Sequence, residues 1–415
     1  MLLIYRLLIN LVIIFSPLII LIRLIKKKEH FIRFKEKFKF FSKKRKKEGK
    51  LIWFHGASVG ELMSVIPLIE KLEKEKNIQQ ILVTTSTLSS AKVFTKFKFK
   101  KTIHQFFPID GNYLTKKFLS YWNPSLAIFI DSEIWPNMLT NLKKKSINHI
   151  LLNARITKKS FKRWKILGSF TKTLFNGFNC VYPQNEETKK YLKYFNANEI
   201  KKIGNLKFSE GILHSTKSIK PNLKKFLNTK KFWCAASTHE GEELITANVH
   251  LNLQKKINNL ISIIIPRNIQ RTQKIINVFS QLGLKIHLHS MKNKISRNTQ
   301  IYIVDTYGET KAFFKVCKVV FLGKSLAAQG GQNPLEPARY NCSIVHGPKV
   351  SNFLEIYNLL GKNKIAFKVR NQNQLIKKIN ELLKKNIQSN YMGRKINKIG
   401  EKVLKKTLIE LKKFI

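Results

Sequence analysis

Hydrophobic positions along this chain fall into three regimes. Residues 1–25 are apolar almost without interruption, broken only by Arg6, Asn10, Ser16-Pro17 and Arg23. After residue 50, short apolar runs alternate with amphipathic stretches. Runs at 51–54, 81–84, 126–130, 150–152 and 180–182 predict short buried strands, with helical stretches such as 61–76 between them. A polar, Lys-rich stretch at 215–230, containing Pro221, predicts a linker. A second series follows at 232–235, 261–265, 284–287, 301–304, 319–322 and 343–345. Strand and helix in alternation predict an α/β protein with mainly parallel sheets. The expected organisation is an anchor at 1–28, a Rossmann-like domain at 29–214, the linker, and a second Rossmann-like domain at 231–395. A C-terminal helix at 396–415 is left to pack back on the first domain.

The apolar start is about long enough to cross a bilayer. Its basic flank comes after it, at Lys26–Lys28 and again at Lys43-Lys44-Arg45-Lys46-Lys47, whereas a cleaved signal peptide is positive before its apolar run. That asymmetry predicts a single-pass N-terminal anchor with the bulk of the chain in the cytoplasm. Phe31, Phe34, Phe38, Phe40 and Phe41 interleave with Lys and Arg, a composition suited to an anionic membrane surface. The alternative, a first core helix, does not account for apolar residues on every face.

Composition narrows the partners. The chain has 415 residues, 43% of them hydrophobic and 11% aromatic, enough for two real cores rather than a disordered basic tail. A formal charge of +54 favours acidic surroundings: nucleic acid, anionic lipid or a phosphorylated substrate. Lys is spread along the chain, so much of the excess reads as solvated faces under AT-biased codon usage. Cys180, Cys234, Cys317 and Cys342 show no CxxC spacing and read as reduced, mostly buried thiols. The ten histidines form no HxxxH or His/Cys set, so no metal site and no cofactor are expected.

The most informative stretch is LGKSLAAQGGQNPLEPAR, 322–339. A strand-like run ends in a Gly-rich loop with paired Gly330 and Gly331, followed by Asn333, Pro334 and Glu336 at an expected helix start. Glycines let a ligand approach the backbone and a helix start attracts phosphate, which suggests a nucleotide-sugar donor. A Gly-rich turn capping an ordinary helix is the plain alternative. The two halves also open alike, WFHGASVGE at 53–61 and WCAASTHEGEE at 233–243. Each puts a polar loop at the end of a first strand, where open α/β sheets bind ligands.

Read together, HGASVGE (55–61), DSEIWPN (131–137), NARIT (153–157), QNEET (184–188), GNLKF (204–208), ASTHEGEE (236–243), PR (266–267), DTYGE (305–309) and GGQNPLE (330–336) resemble the 3-deoxy-D-manno-octulosonic acid (Kdo) transferases. They stand in family order and span nearly the whole chain. The resemblance implies a GT-B fold, two Rossmann-like domains facing across a cleft. It also implies an inverting, metal-free enzyme that moves Kdo from CMP-Kdo to lipid A precursor (lipid IVA) at the bacterial inner membrane. Glu61 matches the family's catalytic base, with a helix-capping carboxylate of low pKa as the alternative. Lys207 matches a residue that stabilises transition-state charge.

Asp131 and Glu133 stand where the family has Glu-x-Glu. Asp131 is one C–C bond shorter, about 1.5 Å, so either the loop compensates or Glu133 carries more of the role. Donor binding is implied for Pro266 and Arg267, for Tyr307, Gly308 and Glu309, and for Asn333, Pro334, Leu335 and Glu336, with Ser237 and Thr238 assisting. Lys324 stands where the family repeats Gly, and Gln332 where it has His. The rival readings are another GT-B enzyme using a UDP-sugar and a non-catalytic basic protein bound to membrane or nucleic acid. No recognisable nucleic-acid motif supports the latter.

Overall fold

The computed structural model describes residues 1–38, 41–46, 48–210, 218–291, 293–385 and 391–415. Phe40 and Lys47, and residues 215–217 of the expected linker, lie outside the described residues. The chain divides into two compact units, Met1–Gly211 with Ile399–Ile415, and Ile212–Lys398.

The first unit is built on six parallel strands, β1 (Lys50–His55), β2 (Ile78–Thr85), β3 (Thr102–Phe106), β4 (Leu126–Ile130), β5 (Asn148–Ala154) and β6 (Cys180–Pro183), in the order β3-β2-β1-β4-β5-β6. Alternate side chains leave opposite faces of each strand, and both faces are covered. Leu51 and Trp53 enter one core with Phe118, Trp122, Phe129 and Phe175. Ile52 and Phe54 enter the other with Leu62, Ile66, Leu206 and Val403. That double burial is why these strands read as unbroken apolar runs. The C-terminal helix Tyr391–Lys412 supplies Val403 and Leu411 to the second core.

The second unit carries seven parallel strands, β7 (Lys231–Thr238), β8 (Leu260–Pro266), β9 (Ile286–Leu288), β10 (Ile301–Ile303), β11 (Val319–Leu322), β12 (Ser343–His346) and β13 (Ala366–Lys368), in the order β13-β12-β11-β7-β8-β10-β9. In each sheet the first strand, β1 or β7, has neighbours on both sides that arise from opposite windings. Ligands bind at such a switch point, beyond the strand carboxyl ends.

Several expectations need correction. Strands β3 and β13 lie at sheet edges and were not legible: β3 mixes Thr, His and Gln into its run, and β13 has three residues. The run at 284–287 starts too early, because Leu284 closes the preceding helix, its N–H bonding Phe279 O (3.1 Å) after Gly283 at φ +71°. Within the expected linker, Pro221–Asn228 is a helix with Leu223 and Leu227 buried. Its Pro221 opens the first turn, where no N–H is needed. Nor do the interleaved phenylalanines share one surface. Phe31 is exposed, but Phe41 stacks on Tyr121 at 3.9 Å and packs against the core.

The apolar start forms one helix, Leu2–Ile25, long and apolar enough to cross a membrane. Ser16 and Ile20 on it are buried, and most of its large side chains are exposed.

Candidate active site

At the switch point of the first sheet, the turn after β1 leads into helix Val59–Leu72. Gly56 lets this turn close tightly, since a Cβ there would lie 3.0 Å from Glu61 Cβ. Ser58 and Glu61 form a capping box: Glu61 N–H donates to Ser58 Oγ (3.4 Å) and Ser58 N–H to Glu61 Oε2 (3.1 Å). The capping alternative is thus structurally real, yet the low pKa it implied is not found. Burial, with the neighbouring charges of Glu133 and Asp131, raises the Glu61 carboxyl above its ordinary value despite the Ser58 bonds.

The loop after β4 supplies those two carboxylates, and each is held differently. Asp131 sits at φ +57°, buried, 3.4 Å from Lys207 Nζ, and accepts a bond from the Asn153 amide. Asn153, itself at φ +56°, accepts from Leu206 N–H (3.0 Å), tying β5 to the turn that carries Lys207. Asn205 caps that turn by accepting Lys207 N–H (2.9 Å). Glu133 Oε2 lies 3.0 Å from His55 Nε2 and accepts Trp135 Nε1–H at 2.8 Å. Burial pushes Glu133 up, but the His55 bond and charge and the Trp135 bond outweigh it and leave the carboxyl below its usual range. His55 is wholly buried, with Thr84 Oγ1 3.0 Å from Nδ1. So Asp131 and Glu133 each have a committed partner, while Glu61 is the carboxyl pushed toward accepting a proton.

The turn with Lys207 depends on the C-terminal helix. A Cβ on Gly400 would fall 2.1 Å from Phe208 O, and one on Gly204 would fall 2.6 Å from Val403 Cγ2. Both glycines allow a backbone approach that no other residue permits without displacement.

In the second unit the candidates gather at strand carboxyl ends. Thr238 pairs in register with Pro266, and Arg267, an exposed residue, donates its backbone N–H to Thr238 O (3.1 Å). Tyr307 is exposed, Gly308 has φ +87°, and Glu309 opens helix Thr310–Phe314. Glu336 reaches the same helix through Lys311 Nζ (3.5 Å). The helix expected after Gly331 is only five residues, Leu335–Arg339; Pro334 caps it and Asn333 Oδ1 accepts Leu335 N–H (3.1 Å).

One residue joins the two loops at this switch point. Glu242 is fully buried and its carboxylate accepts four backbone N–H groups: His239 (3.0 Å), Lys324 (2.7 Å), Ser325 (2.9 Å) and Leu326 (3.0 Å). Gly323 permits that contact, for a Cβ there would fall 2.7 Å from Glu242 Oε2 and 2.4 Å from Ser237 O.

The family model described as 3-deoxy-D-manno-octulosonic-acid transferase (kdotransferase) matches residues 32–210. The chain is 34% identical over 368 residues to the 3-deoxy-D-manno-octulosonic acid transferase of Rickettsia bellii, covering 89% of this chain and 87% of that protein. This chain belongs to the Kdo transferase family. It is 27% identical over 315 residues to the Haemophilus influenzae enzyme of the same name, covering 74% of this chain and 73% of that one. In fold it is similar to the UDP-GlcNAc 2-epimerase of Neisseria meningitidis, with TM-score 0.57 and 14% identity over 86% of this chain and 100% of the other.

As a Kdo transferase the protein is a glycosyltransferase, and its departures from the family pattern acquire physical content. Lys324 occupies φ +59°, a region that costs a side-chain-bearing residue about 1–2 kcal/mol. A glycine, as the resemblance implies at this position, would avoid that cost. Lys324→Gly is expected to raise stability by about 0.5–1 kcal/mol once glycine's extra unfolded freedom is subtracted; a chemical-denaturation midpoint that fails to rise counts against this. Gln332 contributes its backbone carbonyl, which accepts the Tyr357 hydroxyl (3.0 Å). That bond does not need the family's His.

Sequence reasoning passed over His55, Asn153 and Glu242 as site residues. All three lie inside quoted motifs, HGASVGE, NARIT and ASTHEGEE, so the signal was there. What each side chain touches was not.

Proposed function

We propose that this Kdo transferase takes Kdo from CMP-Kdo and attaches it, with inversion, to a hydroxyl of lipid A precursor (lipid IVA) at the bacterial inner membrane, with both units on the cytoplasmic side. The observation that carries the reading is Glu61. It is a partly buried carboxyl of raised pKa beside two carboxylates already committed to His55 and Lys207. A general base works best when its pKa lies near the working pH. Glu61 takes the acceptor proton as the acceptor oxygen bonds to the anomeric carbon, and the bond to the CMP phosphate breaks on the opposite side. The pair leaves on CMP, and cationic groups, Lys207 and Arg267, offset the charge that develops. Asp131 and Glu133 keep Lys207 and His55 oriented.

The donor side rests on the second unit. The Arg267 fork pairs with phosphate or carboxylate. Tyr307, Gly308 and Glu309 hold cytidine. Asn333–Glu336 hold phosphate and ribose, with Ser237 and Thr238 assisting. Pro266 and Leu335 shape the strand and helix ends. The anchor at 1–28 and the domains at 29–214 and 231–395 are part of the same proposal.

The test is purified protein with CMP-Kdo and tetra-acylated lipid A precursor, products resolved by mass. The expected result is lipid heavier by one or more Kdo units with release of CMP. Product from a UDP-sugar and none from CMP-Kdo would overturn the donor assignment.

A further inference from the structure

The N-terminal helix does not stand away from the folded unit as a membrane-crossing anchor would. Tyr5, Ile9, Ile13, Ser16, Ile20 and Leu24, spaced three and four apart, form one stripe that is partly or fully covered, while Leu7, Leu8, Leu11, Phe15, Leu18 and Ile22 are exposed. Specific ties run along that stripe. Tyr5 donates its hydroxyl to Asp110 Oδ2 (2.8 Å), and Arg6 bonds Asn137 Oδ1 (3.0 Å) and Asn112 Oδ1 (3.3 Å). At mid-helix Ile13 fills the space over Gly111, where a Cβ would fall 2.5 Å from its Cδ1. Near the far end Arg23 pairs with Glu29 (3.0 Å), which Lys37 also meets (2.7 Å).

From Tyr5 to Arg23 is about 27 Å at 1.5 Å per residue, close to the roughly 30 Å of a hydrocarbon core. If the helix stood across the bilayer with these ties intact, Asp110, Asn112 and Asn137 would be carried into the far leaflet. If the ties broke, Arg6 would lie in lipid without its partners. Neither holds if the helix lies flat.

We infer that the helix Leu2–Ile25 is an in-plane membrane element: docked lengthwise on the first unit, it sinks its exposed apolar face into one leaflet of an anionic bilayer. The occupant follows from the surface itself. The helix is followed directly by exposed Lys26, Lys27 and Lys28 and then by exposed Phe31 and Ile32, a composition that suits acyl chains beneath anionic headgroups. Both ends of the helix then face the same compartment as the catalytic unit, in place of the single pass expected from the sequence.

This inference rests on the membrane attachment proposed above and not on the transfer chemistry. The four native cysteines are buried, so added ones report cleanly. A single cysteine in a tag ahead of Met1, and another after Ile415, are tested with an impermeant maleimide in sealed vesicles of both orientations. Both are expected to label from the same face; labelling of the N-terminal tag from the opposite face overturns the inference. An Ile13→Cys/Gly111→Cys pair is expected to be joined by a short bis-maleimide in membrane-bound protein, and a Leu11→Cys/Gly111→Cys pair is not. No cross-link in the first pair of folded, membrane-bound protein overturns it too. So does recovery of the full chain in the soluble fraction, as a dimer through this face would give. Kdo transfer by the same vesicles is read separately, and its persistence beside a failed topology result would condemn the in-plane helix alone.

Discussion

Turnover of Glu61→Gln is expected to fall by about 10²–10⁴-fold, the usual worth of a general base, with CMP affinity nearly unchanged because the proposed donor contacts belong to the other unit. The fold should not suffer. Burial and neighbouring carboxylates raise the Glu61 pKa above its unfolded value. Between the two values the folded chain therefore holds the extra proton, so stability falls as pH rises through that window. At neutral pH the ionised side chain is a net cost to folding. Glutamine is always neutral and its amide oxygen can still accept the Ser58 N–H. The melting temperature should hold or rise. A simple capping role predicts the reverse pattern, lower melting temperature and near-normal turnover, and that result would remove Glu61 from the mechanism. The pH profile adds a second reading. A base must be ionised, so kcat/KM should climb with pH through the raised Glu61 pKa and then level. Glu133→Gln removes a like charge and should move the climb to lower pH.

Lys207→Met should strongly destabilise the first unit. Lys207 and Asp131 are both buried, and removing one partner of a buried pair typically costs about 3–5 kcal/mol because the other charge is stranded. Combining Lys207→Met with Asp131→Asn should restore most of that loss, since the asparagine oxygen can still accept from Asn153 and no charge is left unpaired. Activity should stay at least about 10²-fold down in both, if Lys207 offsets developing charge as proposed. Denaturation and turnover measured on the four proteins of the cycle separate the roles. A double variant with recovered activity would make Lys207 a structural residue only.

The motifs that stand out in the sequence lie at the carboxyl ends of strands, and the reason is physical. Parallel strands buried on both faces must be apolar throughout, so the first polar, Gly-rich residues after each run mark the sheet edge where ligands can be held. Leu126–Ile130 followed by Asp131 shows this plainly. Two of the four edge strands escape the same reading. Thr102–Phe106 and Ala366–Lys368 have one neighbour each and tolerate polar or short runs, so no periodicity announces them. The shorter Asp131 illustrates the limit at single-residue scale. Whether its loop could compensate depended on the left-handed backbone of Asp131 itself and on Asn153 and Lys207, which lie outside its local segment.

By itself, then, the sequence determined the α/β class, the two Rossmann-like series, the family, and which polar loops follow the strands. Each of these follows from local apolar runs and from residue order. Only the tertiary structure decided how charges share the site. Glu61 caps its helix and still has a raised pKa, first because it is buried and then because Glu133 and Asp131, some seventy residues away in the chain, are brought beside it by the β1–β4 pairing. Only it decided that Glu242 binds two loops and that the apolar N-terminal helix has a covered side. An apolar stretch looks alike whether it crosses a bilayer or lies along one. The difference resides in what Tyr5, Arg6 and Ile13 touch, and those partners are about a hundred residues further on.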